Sequence, residues 1–138
     1  MRVLLLCTLA CLTSAQLGGQ TSSQPPSSSP DAPGAQLFRT YCASCHGVTG
    51  AGNGPVAEEL RKPVPDLTKY TARNGGVFPS ERLRQIIDGR GIRSHGTREM
   101  PVWGDAFMRA RGGLSPEGVK ERIDAIIRYL EAIQERAA

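Results

Sequence analysis

Three residues with reactive side chains, Cys42, Cys45 and His46, lie together in the run YCASCHG at positions 41–47. Two cysteines at this spacing can form half of a zinc site, but structural zinc takes about four protein ligands, and His95 is the remaining histidine that could join them. They can also form a thioredoxin-type redox pair, although that pair normally follows a strand in βαβ surroundings, and no such pattern is visible. The histidine directly after the second cysteine favours a third chemistry.

Cys-X-X-Cys-His is the attachment pattern of a c-type haem. On one turn of helix, the two thiols face one edge of the porphyrin and form thioethers with its vinyl groups, while the next residue turns its imidazole onto the iron. The composition agrees, because seven aromatic residues in 138 are few for the core of a small domain. We therefore expect one covalently bound haem c, held by Cys42 and Cys45 and ligated by His46.

Two amphipathic helices are predicted at the ends of the folded region. Gly34, Phe38 and Cys42 are spaced at i, i+4 and i+8 in the run GAQLFRTYCASC, so they share one face of the helix that carries the motif. The second helix extends from Ser115 to Arg136, with Ser115 as its N-cap and a proline at its first position. Its apolar face consists of Val119, Ile123, Ile126, Ile127 and Leu130.

Two shorter helices are predicted between them. One begins at Ser80 as the N-cap and ends at Gly89 or Gly91, and the other extends from Asp105 to Arg111. The connecting segments are rich in glycine and proline, and none alternates as a strand would. The predicted fold class is all-α.

These features resemble the class I c-type cytochromes, specifically the small bacterial monohaem proteins. The resemblance covers essentially residues 34–130 and depends on four motifs: CXXCHG at 42–47, GXGXGPXA at 50–57, PVPDLT at 63–68 and MPXWG at 100–104. It implies about four helices around one haem, with the N- and C-terminal helices crossed. It also implies that Gly34 allows their close approach, with Phe38 and Tyr129 packed at the crossing.

The second axial ligand decides whether the iron is closed or open to small molecules. Met100 is favoured, because it lies in a glycine-rich stretch 54 residues after His46, next to a stiffening proline, and matches the family ligand. Met108 lies on a predicted helix, where methionine is more often core filling. His95 is more typical of a loop-stabilising imidazole, although bis-His ligation would be chemically sound. The resemblance further implies that the backbone carbonyl of Pro55 accepts a hydrogen bond from the second ring nitrogen of His46.

The first 34 residues predict export. An apolar run at 3–12 follows Arg2, and small residues precede a cleavage point after Ala15, so residues 1–15 are a predicted signal peptide. Alternatively, residues 1–10 are a lipoprotein signal and Cys11 is lipidated, which would tether the protein to a membrane. Residues 16–34 form a predicted disordered linker rich in serine and proline, and residues 35–138 the cytochrome domain. The expected location is the periplasm.

Seven basic residues lie between Arg82 and Arg111, on both sides of Met100, against three acidic residues in that range and Glu81 just before it. They predict either a docking surface for an acidic redox partner or simply a solvated face. The net charge of +4 is too weak to indicate a nucleic-acid partner.

The resulting hypothesis is an exported electron carrier with a His/Met-ligated low-spin haem and outer-sphere electron transfer between redox partners. No pair of nucleophile and base indicates an enzyme. The alternative is an electron-transfer haem subunit of an exported oxidoreductase complex, which would use identical chemistry in this chain. A gas-binding haem sensor is a third hypothesis.

Overall fold

A computed structural model describes residues 27–29, 32–91 and 100–135, and these residues contain helices but no β-strand. This confirms the all-α prediction. The predicted signal peptide, Cys11, most of the linker and His95 lie outside the described residues. In chain order the helices are α1 (Pro33–Tyr41), α2 (Ala43–His46), α3 (Tyr70–Arg73), α4 (Ser80–Asp88), α5 (Trp103–Arg109) and α6 (Pro116–Ala132), with 3₁₀ helices at Ala57–Glu59 and Leu67–Lys69.

The crossing of α1 and α6 forms the centre of the core. Phe38 is fully buried, and its ring centroid lies 5.2 Å from that of Tyr129. Gly34 lies so close to α6 that a Cβ atom there would lie 2.9 Å from the Tyr129 Cβ. Val119, Ile123 and Ile126 are almost completely buried alongside, and burial of each such side chain contributes about 1.5–3 kcal/mol. The predicted crossed helices are confirmed, together with the residues expected at the crossing.

Two helix ends agree with their predicted signals. The Ser115 side chain accepts a hydrogen bond from the backbone N–H of Gly118 at 3.2 Å, and Pro116 is the first residue of α6. Gly89 ends α4 in the left-handed conformation with a φ of 71°. In both cases the signal is local, because the cap and its partner lie within four residues of each other.

Other boundaries differ from the predictions. Ser80 is the first residue of α4 rather than its cap, because Pro79 occupies the cap position. The short helix before the C-terminal one begins at Trp103 and ends at Arg109. The N-terminal helix begins at Pro33, within the predicted linker, because proline is favourable in a first helical turn.

Two further contacts connect α4 and α5 to α6. Arg84 of α4 donates to Asp124 of α6 at 2.6 Å, and Lys120 reaches the same carboxylate at 2.8 Å. The guanidinium of Arg122 lies 5.0 Å from the ring centroid of Phe107 in α5. Within the described part of the chain, no helix has both the length and the apolar character needed to cross a membrane.

Candidate functional site

The cysteine motif is held by a short turn of helix rather than by a continuous one. The predicted N-terminal helix is divided at Cys42, whose φ of −117° departs from the helical value of about −63°. The backbone N–H groups of Cys45 and His46 both donate to the Cys42 carbonyl, at 3.2 and 2.9 Å. One turn therefore holds both thiols and the imidazole together, as the spacing predicts.

The glycine-rich segment after the motif donates hydrogen bonds to the backbone carbonyls of this turn. The N–H of Gly52 donates to the His46 carbonyl at 2.8 Å, and the N–H of Gly54 donates to the Cys45 carbonyl at 3.0 Å. Gly52 has a φ of +83°, and a Cβ at Gly54 would lie 2.6 Å from the Cys45 carbonyl oxygen. The last carbonyls of a helix lack intrahelical partners, so these hydrogen bonds stabilise α2. A larger residue in place of Gly52 or Gly54 would prevent this close approach of the loop.

The motif faces a cavity of about 270 Å³. Cys42, Cys45 and His46 line it from one direction, and Met100 lines the same cavity from the segment before α5. Both cysteines are free thiols. Met108 does not line the cavity: it is 40% exposed, and its sulfur accepts a hydrogen bond from Arg90 at 2.9 Å. The cavity therefore collects four of the five predicted site residues, and Pro55 is the exception.

The remaining wall of the cavity is mostly apolar. Leu67 and Ile87, both buried, and the half-buried Ile86 are among its lining residues, as expected for a haem pocket. The other lining residues are Tyr41, Leu60, Lys62, Pro63, Val64, Pro65, Tyr70, Leu83, Pro101, Trp103 and Leu130. An apolar wall disfavours charge inside the cavity, because a charged group loses its hydration there.

Burial sets the protonation of the motif side chains. It raises the pKa of the Cys42 thiol to about 12, with a contribution from the neighbouring Cys45. It lowers the pKa of His46, and the Pro65 backbone carbonyl opposes this effect only in part. The site therefore presents a neutral thiol and a neutral imidazole at neutral pH. The His46 Nδ1 is buried and has no hydrogen-bond partner among the described residues.

Pro65 lines the cavity beside His46 and Pro55 does not, so the hydrogen bond from the His46 ring to the Pro55 carbonyl stays a prediction. The Pro65 backbone carbonyl raises the pKa of His46, so it lies near the ring. The neighbours of Pro55 explain this difference, because the N–H groups of Gly54 and Val56 hold that stretch against the backbone of α2. Pro65 lies within the PVPDLT motif, so the sequence did contain a signal for it.

The alternatives for the cysteine pair find no support in the described residues. No three side chains of His, Cys, Asp or Glu come together there as a metal site. No strand precedes Cys42 within residues 27–29 and 32–41, whereas a thioredoxin-type motif would require one. His95, the remaining imidazole for either a zinc site or bis-His ligation, lies outside the described residues.

Several arginines of the predicted docking surface are engaged within the protein. Arg84 pairs with Glu81 and Asp124, Arg90 pairs with Asp88 at 2.7 Å, and Arg109 pairs with Asp105 at 2.8 Å. Arg93 and Arg98 lie outside the described residues. The basic excess in this region is thus partly neutralised by local partners.

A family model described as Cytochrome c matches residues 32–134 of the chain. The match covers every residue that lines the cavity and all six α-helices. Searches of curated proteins and of solved structures give no significant match.

Proposed function

The chain belongs to the cytochrome c family of haem electron-transfer proteins, and on this premise we propose that it is an exported monohaem electron carrier with His46 and Met100 as axial ligands. The observation that carries the proposal is the shared cavity: His46 and Met100 line the same apolar space as the two free thiols. A methionine and a histidine on one cavity are a known pair of haem ligands.

The residues that line the cavity fit haem c. Cys42 and Cys45 would hold the group through thioethers, and the buried imidazole of His46 is neutral, which an iron ligand requires. When bound, haem c supplies an iron that can take up and release one electron. Leu67, Ile86 and Ile87 exclude water from the cavity, and a neutral thioether from Met100 favours the reduced state. We expect a raised reduction potential for this reason.

Spectroscopy of the haem-loaded protein tests the ligation. We expect a weak red absorption band from iron–sulfur bonding in the oxidised wild type and its loss in Met100→Ala. Met108→Ala is the matched control, because Met108 is a methionine of the same region that does not line the cavity. A red band that survives in Met100→Ala would refute this ligand assignment, as would a wild type with attached haem and no band.

We propose that cations near the cavity assist docking of an acidic redox partner. Lys62 lines the cavity, and the charges of Arg73 and Arg82 act on the pKa of Tyr70, which also lines it. Such steering weakens with ionic strength, because the Debye length falls to about 10 Å at 0.1 M salt. The bimolecular electron-transfer rate with an acidic partner should fall steeply with salt, and Lys62→Gln should flatten that dependence. A salt dependence that Lys62→Gln leaves unaltered would exclude Lys62 from docking.

Export is supported by the apolar run at 3–12 and the small residues before Gln16. An intact mass of the protein from a secreting host distinguishes a mature start at Gln16 from a lipid-bearing start at Cys11. A mass that includes Met1 would contradict both forms of export.

A further inference from the structure

Gln134, two residues after the end of α6, uses its side-chain amide to connect three parts of the backbone. Its Nε2 donates to the carbonyls of Leu67 and Leu130, both at 2.8 Å. Its Oε1 accepts a hydrogen bond from the backbone N–H of Thr71 at 2.9 Å. Both N–H bonds of the amide and its carbonyl oxygen are therefore engaged, at a half-buried position.

The amide lies between two groups that would otherwise bond to each other. In a continuous helix, the N–H of Thr71 would donate to the carbonyl of Leu67, four residues earlier. Here Gln134 bonds to each of them instead, at the junction between the 3₁₀ helix Leu67–Lys69 and α3. A side chain inserted into the helical ladder in this way bends the chain. The Glu135 N–H adds a further bond to the Thr68 carbonyl at 2.9 Å.

The bend forms part of the cavity wall. Leu67 and Tyr70 lie on the two sides of the junction, and both line the cavity. Leu67 is also held from the other direction, because its N–H donates to the Gly50 carbonyl at 2.7 Å. The end of α6 thus contacts the wall through Gln134, while the middle of α6 packs on the helix that precedes Cys42.

We propose that Gln134 is a positioning residue for the haem pocket: its inserted amide holds the bend between Leu67 and Tyr70 and thereby excludes water from the haem. This inference rests on the proposed function, since it assumes that haem occupies the cavity. Without the amide, the wall loses both its donor to Leu67 and its acceptor for Thr71. Water then reaches the iron more easily and stabilises the more highly charged oxidised state, so the reduction potential falls.

The test compares Gln134→Met with wild type in the reduced, haem-loaded full chain. Methionine has nearly the length of glutamine but no amide. We expect the Thr71 amide to exchange with solvent about tenfold faster, for the net loss of one hydrogen bond, and the reduction potential to fall. Gln85→Met is the matched control, because Gln85 is exposed and its amide makes one long contact of 3.5 Å with Glu81. It should change neither quantity.

Either of two results would overturn the proposal: unchanged exchange at Thr71, or faster exchange with an unchanged potential, which would leave Gln134 a purely structural role. If Gln134→Met does not fold, Gln134→Glu serves, because it keeps an acceptor for Thr71 and loses the donor to Leu67. Gln134→Glu should lower the reduction potential and increase the exchange rate of the Thr71 amide less than is expected for Gln134→Met. An unchanged reduction potential would contradict the proposal. Failure of the proposed function is separate, because it appears in the wild type as missing haem or a missing red band.

Discussion

Replacing Gly34 by alanine should force apart the two helices that form the centre of the core. A Cβ at this position would lie 2.9 Å from the Tyr129 Cβ and from the carbonyl carbon of Ala125, and closer still to the Ala125 carbonyl oxygen. Ordinary contact begins at 3.4 Å, so α1 and α6 must separate by at least 0.5 Å to relieve the two carbon contacts, and by more to relieve the contact with the Ala125 oxygen. The obstacle includes the backbone of α6, which cannot rotate away as a long side chain could.

The expected cost follows from the packing that is lost. A gap of at least this size forfeits about a quarter to a half of the dispersion energy of each contact across the crossing, and overpacking of a core typically costs about 1–3 kcal/mol. Alanine gains up to about 1 kcal/mol over glycine in a helix, which offsets part of that cost. We expect a net destabilisation of about 1 kcal/mol, which corresponds to a fall in Tm of about 4–8 °C for a domain of this size.

Gly118→Ala is the matched control for this measurement. Gly118 also lies in the first turn of a helix, but a Cβ there meets only the Leu114 side chain, at 3.3 Å. This variant should be neutral or stabilised by up to about 1 kcal/mol. Thermal and guanidinium unfolding of the haem-loaded proteins, followed by circular dichroism, gives both values. If Gly34→Ala proves as stable as Gly118→Ala, the close approach at Gly34 does not constrain the crossing.

Three further perturbations have defined outcomes. Partial burial would raise the pKa of Asp124, but its hydrogen bonds and charge interactions with Lys120 and Arg84 lower it overall. Its contribution to stability is therefore complete above about pH 4 and is lost as the pH falls through the folded pKa. Asp124→Asn should thus cost more in urea unfolding at neutral pH than at about pH 3, and an equal cost would count against the ion pairs. Gly54→Ala should displace the turn that carries the thiols and lower the haem content per chain, measured by mass, whereas full haem content would contradict that role. Arg122→Met should cost about 0.5–1 kcal/mol by loss of the cation–π contact, and no change in unfolding free energy would show that the contact contributes nothing.

The cysteine motif and the main helices could be predicted because their signals are local. Cys42, Cys45 and His46 come together within one helical turn because the second thiol lies only three positions after the first. The N-cap at Ser115 bonds three residues ahead, and Gly89 ends α4 through its own backbone conformation. Such features depend on spacing and residue type, which the sequence contains directly.

Contacts between distant segments were less accessible from the sequence. Pro65 was not predicted on the cavity wall, because which proline lies beside His46 depends on the path of two loops. Gln134 carried no signal at all: its partner Leu67 lies 67 residues away in the chain. A lone glutamine near the end of a helix is indistinguishable from a solvated one until the helix is packed.

By itself, the sequence therefore indicated the chemistry of the motif and the all-α class, because periodicity and short motifs encode local geometry. The residues of the helix crossing followed from the resemblance to the class I c-type cytochromes. The sequence favoured Met100 over Met108, and the tertiary structure places Met100 on the same cavity as His46. Only the tertiary structure decided that Pro65 lines this cavity and that Gln134 holds its wall at Leu67. The physical reason is that each of these contacts depends on how separate segments of the chain pack against one another. No short stretch of residues encodes which distant segments meet.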